Sequence, residues 1–215
     1  MNIYSFPTFN LTKILLTAEE LGMPYKLHLM DAMKGEHKKP EHLARHPMGK
    51  VPVVEINGQH YFESNSICRL MAELKGNNLY GNTPEQRAHV NEWIDMMGYH
   101  IGRWLTVYFF EELVKPGLMK AQPSETALKE AGDFLKQQLP VLEQALTKHA
   151  FIAGDAITIA DTISYSLMEI ADYTSVDLSI YPHIKKWCES IKARPTYARA
   201  MANLPKGKMF AAFGK

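Results

Sequence analysis

The chain has 215 residues, enough for one large domain or two modest ones, and its 46% hydrophobic content is that of a globular protein with a buried core. Basic and acidic side chains are balanced, nine to eight in residues 1–80 and fifteen to fifteen in residues 81–215, for a formal net charge of +1. This balance argues against a nucleic-acid-binding surface and against attraction to a membrane.

The two cysteines, Cys68 and Cys188, show neither a CxxC motif nor the spacing of metal ligands, so we expect buried free thiols and no metal site. The opening residues MNIYSFPTFN lack the basic and apolar segments of a signal peptide. No apolar run approaches the length of about 18 residues that a membrane span needs. We therefore expect a cytoplasmic protein.

Two short strands are predicted at residues 2–6 and 25–30, separated by a helix that Gly22 and Pro24 end. The apolar positions that predict this helix by their spacing are Leu11, Ile14, Leu15, Ala18 and Leu21. A strand, a helix and a second strand in this order predict a βαβ unit with parallel strands.

A polar segment, residues 31–50, follows, with a short helix predicted near residues 41–45. Asn57-Gly58 is a strong hairpin signal that predicts two antiparallel strands, one with Val53, Val54 and Ile56 and the other with His60, Tyr61 and Phe62. Apolar residues recur at helical spacing over 67–74. Residues 1–76 are therefore predicted to form an α/β domain of order βαβ-ββα.

Residues 77–84 concentrate Asn, Gly and Pro and are predicted to be a linker. Residues 85–215 are predicted to form an all-helical domain. Its long first helix is expected to run to about residue 114 and to break at Pro116-Gly117, and a second helix over residues 124–149 is expected to kink at Pro140. Further helices are predicted to begin near Thr158, Pro182 and Pro195.

Residues 34–50 are locally basic, with five Lys or Arg side chains against two Glu. The basic residues are Lys34, Lys38, Lys39, Arg45 and Lys50, with His37, His42 and His46 among them. Such a cluster can hold a small anionic ligand, and the alternative is a solvated basic loop.

Glu63-Ser64 stands at a junction between a strand and a helix. The free N–H groups at a helix start attract a carboxylate, and Glu63 beside them can take an ammonium group, so this junction suits both charges of an amino acid. The alternative is that Ser64 is simply the N-cap of the helix.

Two further stretches suit ligand binding. If the Val51-Pro52 bond is cis, the backbone of Val51 faces outward and can pair with an extended peptide, although most X-Pro bonds are trans. In the loop at residues 7–10, Thr8 and Asn10 are hydrogen-bond donors at a helix start, where a donor and the helix dipole together lower the pKa of a thiol. The alternative is that Asn10 caps the helix.

Other patterns favour a structural interpretation. Thr158-Ile159-Ala160-Asp161 matches a capping box with Asp in the place of Glu. The aromatic and Met stripe over residues 93–110 is more typical of a core, and the alternative is that part of it lines an apolar pocket.

In their order along the chain, the predicted elements and motifs resemble those of the soluble glutathione transferases over essentially the whole chain. The strings that carry the resemblance are E-H-K-K-P (36–40), H-P-M-G-K-V-P (46–52), F-E-S (62–64) and G-D-A-I-T-I-A-D (154–161). The resemblance implies a thioredoxin-like domain followed by an all-helical one, glutathione as co-substrate, and a homodimer with active sites near the subunit interface.

The resemblance also implies roles for individual residues. Val51 before a cis Pro52 would pair with the cysteinyl unit of glutathione, Glu63 and Ser64 would hold its γ-glutamyl end, and Thr158 with Asp161 would form the folding cap of the family. The positions near the glycyl carboxylate are His37, Lys38 and Lys50. The residues expected to line the electrophile pocket are Tyr99, Arg103, Trp104 and Tyr108.

The position that contacts the thiol departs from the common patterns of the family. The tyrosine of several animal classes aligns with Ser5, and the serine or cysteine of other classes falls at or beside Phe9. The P-T-x-N string at 7–10 is similar to a bacterial subgroup that uses Thr and Asn near the sulfur and often acts on disulfides or peroxides. The candidates in order are Asn10, Thr8 and Ser5.

The leading hypothesis is a transferase that activates the glutathione thiol for attack on a hydrophobic electrophile. The alternatives are a glutathione-dependent disulfide reductase or peroxidase on the same fold, and a non-catalytic binding or scaffold protein. The absence of cysteine from the loop at residues 7–10 argues against a mechanism that uses a protein thiol.

Overall fold

The computed structural model describes residues 1–76 and 78–205. Asn77 of the predicted linker and residues 206–215 of the predicted helical part lie outside this description. The N-terminal part contains a four-stranded sheet in the order β2-β1-β3-β4. Its strands are β1 (Asn2–Ser5), β2 (Lys26–Leu29), β3 (Val53–Ile56) and β4 (Gln59–Tyr61).

The strand directions follow the predicted order. β1 and β2 are parallel, with Ile3 opposite Leu27, whereas β3 runs antiparallel to both β1 and β4. The hairpin turns at Asn57 and Gly58, which both have the positive φ that a tight two-residue turn requires. The predicted βαβ-ββα order is confirmed.

Three helices accompany the sheet, namely α1 (Phe9–Glu20), α2 (Pro40–Leu43) and α3 (Ser64–Leu74). A short 3₁₀ turn, Glu36–Lys38, precedes α2. Helix α1 contacts α3 on one side and the helices of the C-terminal part on the other. It is therefore buried on nearly every face from Phe9 to Ala18, including its polar residues Thr12, Lys13 and Thr17.

The α-helices described after residue 83 belong to the C-terminal part. They are α4 (Pro84–Met96), α5 (Gly102–Phe109), α6 (Glu125–Leu146), α7 (Ile159–Met168), α8 (Pro182–Lys192) and α9 (Pro195–Ala202). Helix α7 is buried along its whole length, and its apolar side chains join one continuous core with those of α1 and α3. The predicted fold class, α/β followed by all-α, is confirmed.

The predicted break at Pro116-Gly117 is wrong. Two π-helical stretches, Met97–Ile101 and Phe110–Met119, extend the helical path from α4 through α5, and Pro116 lies inside the second. The wider π turn relieves the clash between the proline ring and the preceding turn that would break an α-helix. Pro140 likewise lies inside one uninterrupted helix, α6.

The predicted capping box of α7 is confirmed. Thr158 is the N-cap, and the Asp161 carboxylate accepts hydrogen bonds from the Thr158 backbone N–H at 2.9 Å and from its hydroxyl at 3.1 Å. The other carboxylate oxygen accepts from the Ile152 N–H and from the Trp187 indole, both at 3.0 Å. Asp161 thus fixes three segments of the helical part at one buried point.

Candidate functional site

Two clefts meet at the N-terminus of α1. The smaller has a volume of about 230 Å³ and lies beside the segment 37–51, and the larger has a volume of about 420 Å³ and lies between α3 and the α4–α5 path. Phe9 and Asn10 line both clefts. Of the predicted site residues, the smaller cleft also contains Thr8, His37, Lys38, Lys50 and Val51, and the larger contains Glu63, Ser64, Tyr99 and Arg103.

The start of α1 leaves several donors unused. Thr8 is the N-cap, and its carbonyl accepts from the N–H of Leu11 at 2.8 Å, but its hydroxyl caps nothing. That hydroxyl is enclosed and has no hydrogen-bond partner among the described residues. The interpretation of Asn10 as the cap is wrong, because Asn10 is the second residue of the helix and its side-chain oxygen instead accepts a 3.2 Å hydrogen bond from the Ser64 hydroxyl.

The start of α3 forms the opposite wall. Glu63 is the N-cap and Ser64 is the first helical residue, so the alternative that Ser64 caps the helix is wrong. Glu63 has φ +65, a left-handed conformation that is uncommon for a residue other than glycine and that concentrates at functional sites. The first N–H that bonds back to Glu63 belongs to Ile67, so the N–H groups of residues 64–66 point to no described partner.

Lys13 lines the larger cleft and was not predicted. It is 4% exposed, and its Nζ donates a 3.0 Å hydrogen bond to the side-chain oxygen of Asn65. Burial is the main cause that lowers its pKa to about 8. No sequence pattern identified it, because a lysine among helical apolar positions is normally expected to face solvent.

The basic segment is held in place by a buried histidine and a glycine. His42 is 1% exposed, and its Nε2 lies 2.7 Å from the carbonyl oxygen of Lys50. Gly49 has φ +57, and a Cβ there would lie 2.5 Å from the carbonyl oxygen of His37, so this position requires glycine. These contacts present the exposed Lys38 and Lys50 at the smaller cleft.

His37 and Val51 complete the smaller cleft. Burial and the neighbouring Lys38 lower the pKa of His37, and its Nδ1 has no partner among the described residues. The Val51-Pro52 peptide bond is cis. Val51 is half-buried at the cleft, ahead of β3, so its backbone is outside the described ladder of the sheet.

The chain has relatives of known fold across almost its whole length. Residues 11–74 match the N-terminal domain of glutathione S-transferases, and residues 106–195 match the C-terminal domain. A probable glutathione S-transferase, GSTF2, of Oryza sativa subsp. japonica is 33% identical over 96% of this chain and 97% of the relative. Glutathione S-transferase 1 of Zea mays is also 33% identical, over 91% and 92% of the two chains.

The chain belongs to the glutathione transferase family.

Solved structures agree with this assignment. Glutathione transferase F2 from Populus trichocarpa superposes with a TM-score of 0.86 at 27% identity, covering 94% of this chain and 97% of the other. Glutathione S-transferase-I bound with the ligand lactoylglutathione superposes with a TM-score of 0.84 at 30% identity, covering 94% and 98%. The thioredoxin-like and all-helical parts of this transferase are therefore those of its family.

Four predicted site residues of the transferase line neither cleft, and one of them is Pro52, which is buried directly after Val51. Ser5 is fully buried and its hydroxyl donates to the carbonyl of Phe6 at 2.9 Å, so it cannot reach a ligand. Trp104 packs into the core, stacked on Phe134 with ring centroids 4.2 Å apart. Tyr108 turns toward α6, where its hydroxyl donates to the carbonyl of Leu128 at 3.3 Å.

No thiol of the described chain can serve as a nucleophile in these clefts. Cys68 is fully buried and Cys188 is 8% exposed, and burial raises their pKa values to about 11 and about 12. Residues 1–76 and 78–205 also contain no group of His, Cys, Asp and Glu side chains suited to a metal ion. Within the same ranges, no helix has both the length and the apolar character to cross a membrane.

Proposed function

We propose that this glutathione transferase binds glutathione along the line where the two clefts meet and activates its thiol at Asn10. The glycyl carboxylate lies against Lys38 and Lys50, the cysteinyl backbone pairs with Val51, and the γ-glutamyl end lies at Glu63 and Ser64. The observation that carries this proposal is that Asn10 belongs to both clefts, between a cationic wall on one side and an acid beside a free helix N-terminus on the other.

The charges along this line match those of glutathione. The smaller cleft offers ammonium groups for one carboxylate. At the other end, the unpaired N–H groups of α3 suit a second carboxylate and the Glu63 side chain suits an ammonium group. A tripeptide with a carboxylate at one end and a zwitterion at the other satisfies both walls.

Thiol activation follows from the start of α1. The side-chain amide of Asn10 can donate to the sulfur, and the N–H groups of Phe9 and Asn10 have no partner among the described residues. A hydrogen-bond donor and a helix N-terminus both favour the thiolate, together by a few kcal/mol. Thr8 is the second candidate, and its enclosed hydroxyl would need a small local shift to reach the sulfur.

The electrophile lies in the larger cleft. Tyr99, which is 75% exposed, and Arg103 line this cleft from the α4–α5 path, and Phe9 forms its floor beside Asn10. An apolar electrophile against Phe9 and Tyr99 would meet the sulfur at Asn10. The thiolate then forms the new carbon–sulfur bond, and a leaving group such as halide departs with the bonding electrons.

The binding assignment is tested by calorimetric titration of glutathione into Glu63→Ala. We expect at least about a tenfold loss of affinity, because the ammonium group loses its counter-charge. Glu73→Ala is the matched control, an exposed glutamate on the same helix that lines neither cleft. Equal affinity of the two variants would disprove the placement of the γ-glutamyl end.

The second candidate is a glutathione-dependent disulfide reductase or peroxidase, which the Pro7–Asn10 string favours. Parallel assays separate the two activities: conjugation of an aryl halide, and reduction of a glutathionylated disulfide. We propose that conjugation is the faster reaction, because the cleft beside Asn10 has an aromatic floor and no protein thiol to resolve a mixed disulfide.

We further propose a homodimer in the cytoplasm, with residues 1–76 and 85–215 as its two domains and 77–84 as the linker. The cytoplasmic location is supported by the need for reduced glutathione, which that compartment maintains, and by the free state of Cys68 and Cys188. The homodimer is supported by family membership and by exposed apolar residues such as Tyr61 and Leu74.

A further inference from the structure

Lys13 is a buried lysine at the wall of the larger cleft, and no carboxylate of the described residues pairs with its ammonium group. Among the described residues, its ammonium group donates one hydrogen bond, to the neutral side-chain oxygen of Asn65. None of the ion pairs in the described part of the chain includes it. Burying an ammonium group is unfavourable unless an anion compensates it, so this arrangement is suited to an anion that arrives with a ligand.

The ionisable groups around Lys13 do not supply that anion. Glu169, which follows α7, is 3% exposed, and burial raises its pKa well above the usual value. Its carboxyl group accepts the Thr12 hydroxyl, whereas the Lys13 ammonium donates to Asn65. Cys68 on α3 is a neutral thiol, because burial raises its pKa as well. On its own helix, Lys13 faces the ring of Phe9, with Nζ 5.9 Å from the centroid.

The remaining charged groups line the cleft at its edge. Glu63 and Arg69 stand at the α3 side, and Asp95 and Arg103 at the α4–α5 side. Arg69 and Asp95 pair with each other at 3.2 Å. Glu63 is exposed and is the group proposed to take the ammonium of the ligand, so it is not available to compensate Lys13 in the complex.

A second feature of the same wall points to a carboxylate. Helix α3 has 11 residues, and the N–H groups of its first three residues have no described partner. Lys13 is hydrogen-bonded to Asn65, which is one of those three residues. A buried ammonium and free helix N–H groups side by side form a binding site for one carboxylate.

We propose that Lys13 binds the α-carboxylate of the γ-glutamyl residue of glutathione and takes up a proton when it does so. This assignment rests on the glutathione site proposed above. Burial holds the pKa of free Lys13 at about 8, so above that pH the free protein increasingly carries a neutral amine. A bound carboxylate favours the charged form and raises the pKa again, so affinity falls as the pH rises through about 8.

Calorimetry with two ligands tests the contact. S-methylglutathione has no ionisable thiol, and its analogue with hydrogen in place of the γ-glutamyl α-carboxylate isolates the group in question. We expect Lys13→Met to lose about tenfold or more in affinity for S-methylglutathione and little for the analogue. Lys136→Gln, which removes an exposed charge on α6, is the control and should bind both ligands as the wild type does.

The number of protons taken up on binding is measured with the wild type near pH 8, by calorimetry in two buffers of different ionisation enthalpy. We expect more proton uptake with S-methylglutathione than with the analogue, and we expect this excess to be absent in Lys13→Met. If Lys13→Met does not fold, the difference in proton uptake between the two ligands on the wild type tests the proposal alone.

Each contrary result has its own meaning. Equal losses for both ligands would make Lys13 merely structural and overturn the proposal, as would an unchanged affinity or equal proton uptake. If S-methylglutathione binds the wild type well in those cases, the proposed function still stands. If neither ligand binds the wild type, the glutathione site itself is refuted together with this inference.

Discussion

Asn10 is the residue at which binding and chemistry meet. It lines both clefts, and its side-chain oxygen is fixed by the Ser64 hydroxyl at 3.2 Å. That hydrogen bond turns the amide nitrogen of Asn10 away from Ser64 and keeps it available as a donor. The start of α3 thereby orients the proposed donor at the start of α1.

The first prediction concerns the pKa of the bound thiol. Asn10→Ala should raise it by about one unit, because one hydrogen bond to the thiolate is lost. Asn10→Asp should raise it further, because a carboxylate repels the thiolate. The measurement is the ultraviolet absorbance of the glutathione thiolate in the complex as a function of pH.

Ser5→Ala is the matched control for these variants. The Ser5 hydroxyl is buried and bonds to the backbone, so its removal should leave the pKa of the bound thiol unchanged. A shift in Ser5→Ala as large as that in Asn10→Ala would show that the loop, rather than the amide, sets the acidity of the thiol.

The second prediction concerns how much the buried charge of Lys13 destabilises the ligand-free protein. Lys13→Met should raise the free energy of unfolding near pH 7 by about 1–3 kcal/mol while it weakens glutathione binding, because the variant removes a buried charge. Urea unfolding of the ligand-free protein measures this, and a less stable variant would contradict the account of Lys13 as an uncompensated cation.

The contribution of Lys13 to the free energy of unfolding depends on pH, and its sign follows from the pKa of Lys13. The pKa of Lys13 is lower in the folded chain, about 8, than its usual value of 10.5, so between these limits the unfolded chain binds more protons. The contribution of Lys13 to the free energy of unfolding therefore rises with pH across this window. The difference in stability between Lys13→Met and the wild type should shrink accordingly.

At the scale of single residues, the sequence predicted positions at the clefts where a residue type stands near a junction of elements. Asn10 lies in the first turn of α1 and Glu63 is the N-cap of α3, and both line the larger cleft, where their roles stay predictions. The prediction failed for Trp104, because an aromatic stripe does not say which side of a long helix faces a cavity. Lys13 was missed because its burial depends on the packing of α3 and α7 around α1.

At the scale of elements, the capping box of α7 shows why some local patterns carry over into the fold. Thr158 and Asp161 lie within one helical turn, so their pairing is decided by local geometry that the sequence displays. The π-helical stretch around Pro116 shows the opposite case. The buried Glu111 holds its path and pairs with Lys115 at 2.7 Å within the same stretch. Glu111 also accepts a hydrogen bond from the N–H of Ser124, the N-cap of α6, and this contact joins two elements.

The third prediction concerns Asp161, which is fully buried and accepts four hydrogen bonds. Asp161→Asn should lower the free energy of unfolding by about 2–3 kcal/mol, because the amide replaces one acceptor and leaves buried donors unpaired. Urea unfolding measures this. Asp155→Asn, whose side chain is 83% exposed, should change little, and equal effects would contradict the structural role of the box.

At the scale of the whole molecule, α1 joins the two parts of the chain. Its C-terminal Glu20 accepts two hydrogen bonds from the Arg194 guanidinium, at 2.6 and 2.8 Å, and the neighbouring Glu19 pairs with Arg199 at 2.7 Å. The clefts lie at the other end of the same helix. The orientation of the proposed site therefore depends on the contact between both parts, which no local sequence pattern encodes.

The fourth prediction concerns assembly. Sedimentation should give twice the chain mass of 24.4 kDa. Leu74→Glu, at a 52% exposed position on α3, should weaken the dimer, whereas Val141→Glu, at a 51% exposed position on α6, should not. A monomeric wild type would refute the homodimer, and equal behaviour of the two variants would place the interface elsewhere.

The central claim is that glutathione lies across both clefts with its sulfur at Asn10, and a crystal structure of the complex tests it most directly. The account predicts the sulfur within hydrogen-bond distance of the Asn10 side chain or of Thr8, the cysteinyl backbone paired with Val51, and the γ-glutamyl carboxylate beside Lys13 and the start of α3. A sulfur that contacts neither Asn10 nor Thr8, or a γ-glutamyl end bound among Lys38 and Lys50, would contradict it.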